Sequence, residues 1–145
     1  MRTFAPASFV VAVLMTVSAC ASSSSSSAQL PKSLRTFAQS FLTDRPNRHD
    51  VTEVDVYGPG SRAALNEAAS GDIVTENSRE KHMRFYLLVI YGKFQMPSGP
   101  LGGKPRGARI ATSIWSPQEG ETDDGVGNSP PAAMSSLHRL AVVKP

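Results

Sequence analysis

Residues 85–91 of the chain read FYLLVIY, the most hydrophobic run after the N-terminal segment. Seven residues are too few to cross a bilayer, which takes roughly 20 in a helix. The run is rich in aromatic and β-branched side chains and has little room for helical amphipathicity, which is typical of a strand buried on both faces. We therefore expect the segment 82–94 to contain the central strand of a sheet.

The chain after this run predicts a second strand that pairs with the first. Residues 96–107 are rich in proline and glycine and are expected to form a loop or a wide hairpin connection. Residues 109–115 then form a returning strand, which is expected to pair antiparallel because no helix lies between the two runs for a crossover. Its core-facing residues are Ile110 and Ile114, and Arg109, Ala111 and Ser113 lie on the opposite face.

The chain before the central run predicts a helix followed by a strand. Residues 31–42 carry apolar side chains at helical spacing, and Pro31 suits an opening position because its missing N–H costs nothing there. Residues 52–57 alternate as a half-buried strand does. Val54 and Val56 lie on one face of this strand, and Glu53, Asp55 and Tyr57 lie on the other.

Three further segments complete the expected fold. Residues 62–70 are rich in alanine and predict a short helix, with Ser61 as its N-cap and Gly71 as its end. The polar and acidic residues 117–131 are expected to form a loop, and residues 137–143 a final edge strand. The sequence thus predicts a single small α+β domain over residues 30–145, with an antiparallel sheet of three to four strands covered by one or two helices.

The N-terminus has the outline of a signal peptide. Arg2 supplies positive charge, and residues 9–17 contain no charged side chain. The tetrapeptide that follows resembles the bacterial lipobox, in which an aliphatic residue and two small residues precede a cysteine; here it reads Val17, Ser18, Ala19, Cys20. Ala19, Cys20 and Ala21 also fit the small-x-small rule of ordinary secretion, which would place cleavage after Ala21 and remove the cysteine.

The lipobox resemblance implies a division of the chain and a location. Residues 1–19 would be the lipoprotein signal peptide, with Val17, Ser18 and Ala19 recognised by the signal peptidase. Cys20 would carry the lipid, and residues 20–29, which include six consecutive serines, would be a flexible linker. The domain is then expected to be exported and held at the outer face of the cytoplasmic membrane, with the membrane as its partner through the lipid anchor.

The order of motifs after residue 51 resembles small secreted proteins and lipoproteins of actinobacteria. An apolar strand that ends Tyr91-Gly92-Lys93-Phe94 is followed by the Pro/Gly loop, a strand, an acidic glycine-bearing turn and a Pro-Pro-x-x-x-Ser-x-Leu tail. The turn departs from that pattern, since residues 116–120 read SPQEG where an aspartate and a Thr-Gly pair are expected. The resemblance implies an envelope location and a compact α+β domain, without a particular reaction.

The balance of charge argues against nucleic acid and leaves two interpretations of a basic segment. The chain has 15 basic and 12 acidic residues, too slight an excess for nucleic-acid binding. On an anchored protein, a basic surface is suited to anionic headgroups or wall polymers; alternatively, these residues keep the flanking apolar strands soluble. The basic residues are Arg79, Lys81, Arg84, Lys93, Lys104, Arg106 and Arg109.

The sequence contains few candidate sites for catalysis or metal binding. The three histidines have no zinc-binding spacing, and the sequence carries no hydrolase serine elbow and no complete phosphate loop, so no cofactor is expected. The acidic residues near position 120 offer a weak cation site or a solvated acidic segment. They are Glu119, Glu121, Asp123 and Asp124.

The sequence is compatible with two functions. The first is a non-enzymatic binding module for an envelope protein, a lipid or a wall polymer. The second is an envelope hydrolase or transferase whose groups converge only in the fold, with His82 placed beside a carboxylate from Asp55 or Glu53 on a neighbouring strand.

Overall fold

The computed structural model describes residues 30–43, 50–96, 104 and 106–145. The predictions for the signal peptide, Cys20, the serine-rich linker and most of the Pro/Gly loop lie outside these residues. The described elements are, in chain order, helix α1 (Lys32–Thr43), strand β1 (Glu53–Gly60), helix α2 (Arg62–Ser70), strands β2 (Phe85–Met96), β3 (Arg106–Ser116), β4 (Gly120–Gly127) and β5 (Arg139–Val143). Short 3-10 turns occupy Glu80–His82 and Ala132–Ser136.

The strands form one antiparallel sheet of five members in the order β4-β3-β2-β1-β5. The α+β class, the antiparallel pairing of β2 with β3 and the central place of β2 are confirmed. Strand β5 lies at one edge, as expected for the last segment of the chain. The predicted strand number was too low, because the sheet has one strand more than the three to four expected.

The additional strand is β4, which lies within the segment expected to be a loop. Its sequence, GETDDGVG, is rich in glycine and aspartate, which are depleted in strands. It forms a strand because it lies along the outer edge of β3, where pairing satisfies the backbone hydrogen-bonding groups of both strands. Gly125 permits this approach, since a Cβ atom there would lie 3.0 Å from the Thr112 hydroxyl oxygen.

The central strand β2 is buried on both faces, as its sequence predicted. Leu87 and Val89 pack in one cluster with Leu65 of α2. Leu88 and Ile90 belong to a second cluster, which contains the buried side of α1. The sheet therefore has an α1 face and an α2 face, each with its own apolar core.

Both helices form where the sequence predicted them. Helix α1 buries Leu34, Ala38 and Phe41 against the sheet. Helix α2 has the expected caps: the Ser61 hydroxyl accepts a hydrogen bond from the N–H of Ala64, and Gly71 ends the helix with a left-handed φ of 79°. No helix among the described residues has both the length and the apolar character needed to span a membrane.

Candidate functional site

A groove lies on the α1 face of the sheet, over the parts of β2, β3 and β4 that α1 does not cover. Helix α1 packs mainly against β1. A helix is about 10 Å wide and strands lie about 4.8 Å apart, so one helix covers about two strands. The groove has a volume of about 1020 Å³ and is lined by residues of β2, β3 and β4, among them Ile90, Arg109, Ala111, Ser113, Asp124 and Val126. We call it the β3–β4 groove.

Strand alternation determines which side chains line this groove. Ala111 and Ser113 are two residues apart along β3 and share a face, as the sequence predicted, and Arg109 also lines the groove. Strand β4 places Val126 directly opposite Ala111 and Asp124 directly opposite Ser113. Because Ala111 and Ser113 are small, the floor is low between the longer side chains around it.

The groove carries opposite charges at its two ends. At one end, the Ser113 hydroxyl donates a 2.7 Å hydrogen bond to the Glu121 carboxylate, and Asp124 lies beside Ser113. At the other end lie Arg109 and Lys93, and Lys93 forms a 2.8 Å ion pair with Asp50. Within the described part of the chain, neither Arg109 nor Asp124 has an ion-pair partner.

The α2 face carries a charged network that ties α2 to β4. The Arg62 guanidinium donates a 2.8 Å hydrogen bond from Nε to Asp123 and a further bond to Glu80. The hydrogen bond from Arg62 holds the pKa of Asp123 below its ordinary value. The backbone N–H of Asn77, together with Arg62, likewise lowers the pKa of Glu80. This network closes the α2 face and was not expected from the sequence, since Arg62 and Asp123 are 61 positions apart.

A second polar cluster on the α2 face surrounds a buried carboxylate. Oδ2 of Asp55 accepts hydrogen bonds from the hydroxyls of Tyr57 and Tyr91, at 3.2 and 3.5 Å, and from Arg139 at 3.4 Å. Among the described residues, Oδ1 of Asp55 has no hydrogen-bond partner. Burial, followed by the charge of Asp55, raises the pKa of Tyr57 to about 12 and also raises the pKa of Tyr91.

The structure does not bring His82 to a carboxylate of β1. Asp55 pairs with Val89, whereas His82 precedes Phe85, which pairs with Gly60 at the far end of β1. His82 is exposed on the 3-10 turn before β2. The partners of Asp55 are instead tyrosines and an arginine, so the pair proposed for an enzyme is not formed.

The predicted basic surface is divided into two groups. Arg79, Lys81 and Arg84 precede the start of β2, whereas Lys93 lies near its end. Arg106 and Arg109 join Lys93 because β3 runs antiparallel to β2. All seven predicted residues are exposed, but the two groups are separated along β2, since Arg84 and Lys93 lie nine residues apart, about 30 Å at the usual rise. Exposed Lys104 precedes β3.

The predicted acidic residues are likewise divided, between the two faces of β4. Asp123 bonds to Arg62 on the α2 face, whereas Glu121 and Asp124 line the groove on the α1 face. Glu119 is exposed in the turn before β4. No group of three or more potential metal ligands converges within the described residues. A bulge between Ile114 and Trp115 changes the pairing register and contributes to this division.

The sequence predicted part of the groove and missed the rest. It placed Arg109, Ala111 and Ser113 on one face of a strand, but it treated Asp124 and Val126 as part of a loop. No local pattern indicated that these residues line a common surface. No family model, no curated protein and no solved structure matches the chain.

Proposed function

We propose that this protein is a lipid-anchored cell-envelope protein whose folded domain is a non-enzymatic binding module, with the β3–β4 groove as its binding site. The groove is the observation that carries the proposal. It is a concave surface of about 1020 Å³, at the upper end of the roughly 300–1,000 Å³ usual for ligand pockets. Arg109 and Asp124 have no ion-pair partner among the described residues and are available to a ligand.

Binding is favoured over catalysis by the state of the groups in the groove. The Ser113 side chain is hydrogen-bonded to Glu121, and Ser113 is only 1% exposed, so its hydroxyl is poorly placed to attack a substrate. His82 lies outside the groove and away from Asp55. The remaining charged side chains are suited to holding a ligand by complementary charge.

The envelope location is supported by the lipobox resemblance at Val17, Ser18, Ala19 and Cys20. Two acyl chains on Cys20 would anchor the protein without help from basic residues, at about 0.8 kcal/mol per buried CH₂. Separation of the basic residues into two groups is compatible with this arrangement, because the anchor does not depend on a continuous basic surface.

Replacement of Cys20 tests the anchor. We expect Cys20→Ser to abolish labelling by a radioactive fatty acid and to release the protein from membranes, whereas the matched change Ser22→Ala leaves both unchanged. Label that persists in Cys20→Ser would contradict lipidation at Cys20, and membrane retention of the unlabelled variant would contradict anchoring by the lipid. A wild-type protein found in the medium, without label and beginning after Ala21, would instead support ordinary secretion.

Site-specific crosslinking in the producing cell tests the binding site. A photoreactive residue in place of Val126, which is 42% exposed in the groove, is expected to capture a defined envelope component. The same residue in place of Ile73, which is 92% exposed and lies outside the groove, is the control. Identical product patterns at the two positions, or no product from Val126, would contradict the assignment of the groove.

A further inference from the structure

We propose that the β3–β4 groove binds an extended peptide of about four residues with a positive charge at one end and a negative charge at the other. This inference rests on the proposed function, because it names the ligand class of the same site. It follows from the position of two charged side chains and from the shape of the floor between them.

The charges define the two ends. Arg109 and Ser113 lie four residues apart on β3, and Asp124 is the neighbour of Ser113 across the strand pair. At about 3.3 Å per residue, the positive and negative ends are therefore separated by about 13 Å along the strand. This separation matches an extended chain of about four residues, which has the same rise per residue.

The charges that have no ion-pair partner in the described chain indicate the orientation of the ligand. Lys93 already has an ion-pair partner in Asp50, whereas Arg109 has none among the described residues. Glu121 is hydrogen-bonded to Ser113, and Asp124 beside it is exposed. A peptide that places an amino group near Asp124 and a carboxylate near Arg109 complements both ends at once.

The lining disfavours other ligand classes. A hydrocarbon chain would desolvate Arg109 and Asp124 without replacing their hydrogen bonds with water. A polyanion would be repelled by Asp124 and Glu121. Sugars commonly require an exposed aromatic surface, yet Phe94 in this groove is only 6% exposed. A peptide offers an amino group and a carboxylate to the two charged ends, and its narrow extended backbone can lie over the small residues Ala111 and Ser113.

Calorimetric titration of the full chain, purified with its anchor in detergent, tests this inference. The probe is tetra-alanine with free termini, compared with its N-acetylated and its C-amidated forms. We expect saturable binding of the free peptide and an affinity about tenfold lower when either end is capped. Asp124→Asn should remove the effect of acetylation, and Arg109→Gln should remove the effect of amidation.

Arg84→Gln is the matched control, because Arg84 is an exposed arginine at the opposite end of β2. It should leave the affinities of all three peptides unchanged. Absence of saturable binding, equal binding of free and capped peptides, or an equal loss in Arg84→Gln would overturn the inference. If crosslinking at Val126 succeeds in those cases, the binding function stands and the ligand belongs to another class. If that crosslinking also fails, the proposed function fails with the inference.

Discussion

The two faces of the sheet differ in how completely they are covered. The α2 face is closed by α2 and by the 3-10 turn near residue 134, whose Met134 packs on the same apolar cluster as Leu65. Its charged groups are paired, as in the bonds between Arg62 and Asp123. The α1 face is covered by a single helix, and at its open side Arg109 and Asp124 have no ion-pair partner in the described chain.

This difference indicates where a ligand is best accommodated. A sheet of five strands is about twice as wide as the surface that one helix covers, so one helix leaves part of the face exposed. On the α2 face, additional chain and an ion-pair network fill that remainder. On the α1 face it remains a groove, which is why we assign binding to this side.

The largest expected effect contrasts the covered and open parts of the α1 face. Leu88 is fully buried beneath α1, so Leu88→Ala should lower the free energy of unfolding by about 2–5 kcal/mol. Val126 lies in the groove and is 42% exposed, so Val126→Ala should cost less than about 0.5 kcal/mol. Urea unfolding measures both. Equal costs would mean that the groove is as tightly packed as the core.

The next effect concerns the paired charges of the α2 face. Arg62→Gln should destabilise the protein by about 1–2 kcal/mol at neutral pH, because Asp123 loses its ion pair with Arg62. The loss is moderate because the side chains of Arg62 and Asp123 are both partly exposed to solvent. Arg84→Gln, which removes an exposed arginine outside the network, should have little effect. Urea unfolding of the two variants side by side makes the comparison.

The same network predicts how stability depends on acid. The folded-state pKa values of Asp123 and Glu80 lie below their ordinary values of 3.8 and 4.5, so the folded state binds these protons less tightly than the unfolded chain. These two carboxylates therefore stabilise the folded state at pH values above 3.8 and 4.5, and this stabilisation is lost as the pH falls through their lower folded-state pKa values. Arg62→Gln should show a weaker acid dependence than the wild type; an unchanged dependence would contradict the network.

A smaller effect is expected in the alkaline range, at the buried Asp55 cluster. The pKa of Tyr57 is raised to about 12, so the folded state holds this proton more tightly than the unfolded chain does. The resulting stabilisation of the folded state is lost as the pH rises from 10.0 through about 12. Asp55→Asn should lower the pKa of Tyr57 only partway, because burial remains as the larger cause. Ultraviolet titration of phenolate, with Tyr57→Phe to assign the signal, measures this. A full return to 10.0 would make Asp55 the main cause.

The smallest effect is expected at the groove charges. Arg109→Gln and Asp124→Asn should each change the free energy of unfolding by less than about 0.5 kcal/mol, because neither side chain has an ion-pair partner in the described chain. Thermal or urea unfolding is the measurement. A loss as large as that of Arg62→Gln would show that these charges stabilise the fold.

Local patterns in the sequence determined most elements of this domain. The alternation in β1, the apolar run of β2 and the caps of α2 at Ser61 and Gly71 all predicted the observed structure. Each depends on residues within a few positions of one another, and their physical causes are equally local: strand alternation, burial and the satisfaction of helix ends.

Three features were determined only by the tertiary structure: the formation of β4, the separation of His82 from Asp55 and the formation of the groove. Residues 120–127 lack the apolar alternation of a half-buried strand, and they became one because the edge of β3 offered them backbone partners. The partners of Arg62 and Asp55 come from distant parts of the chain, up to 84 positions away for Arg139. Which strand lies beside which, and how far one helix reaches across them, is a property of packing between elements, so no local pattern in the sequence contains it.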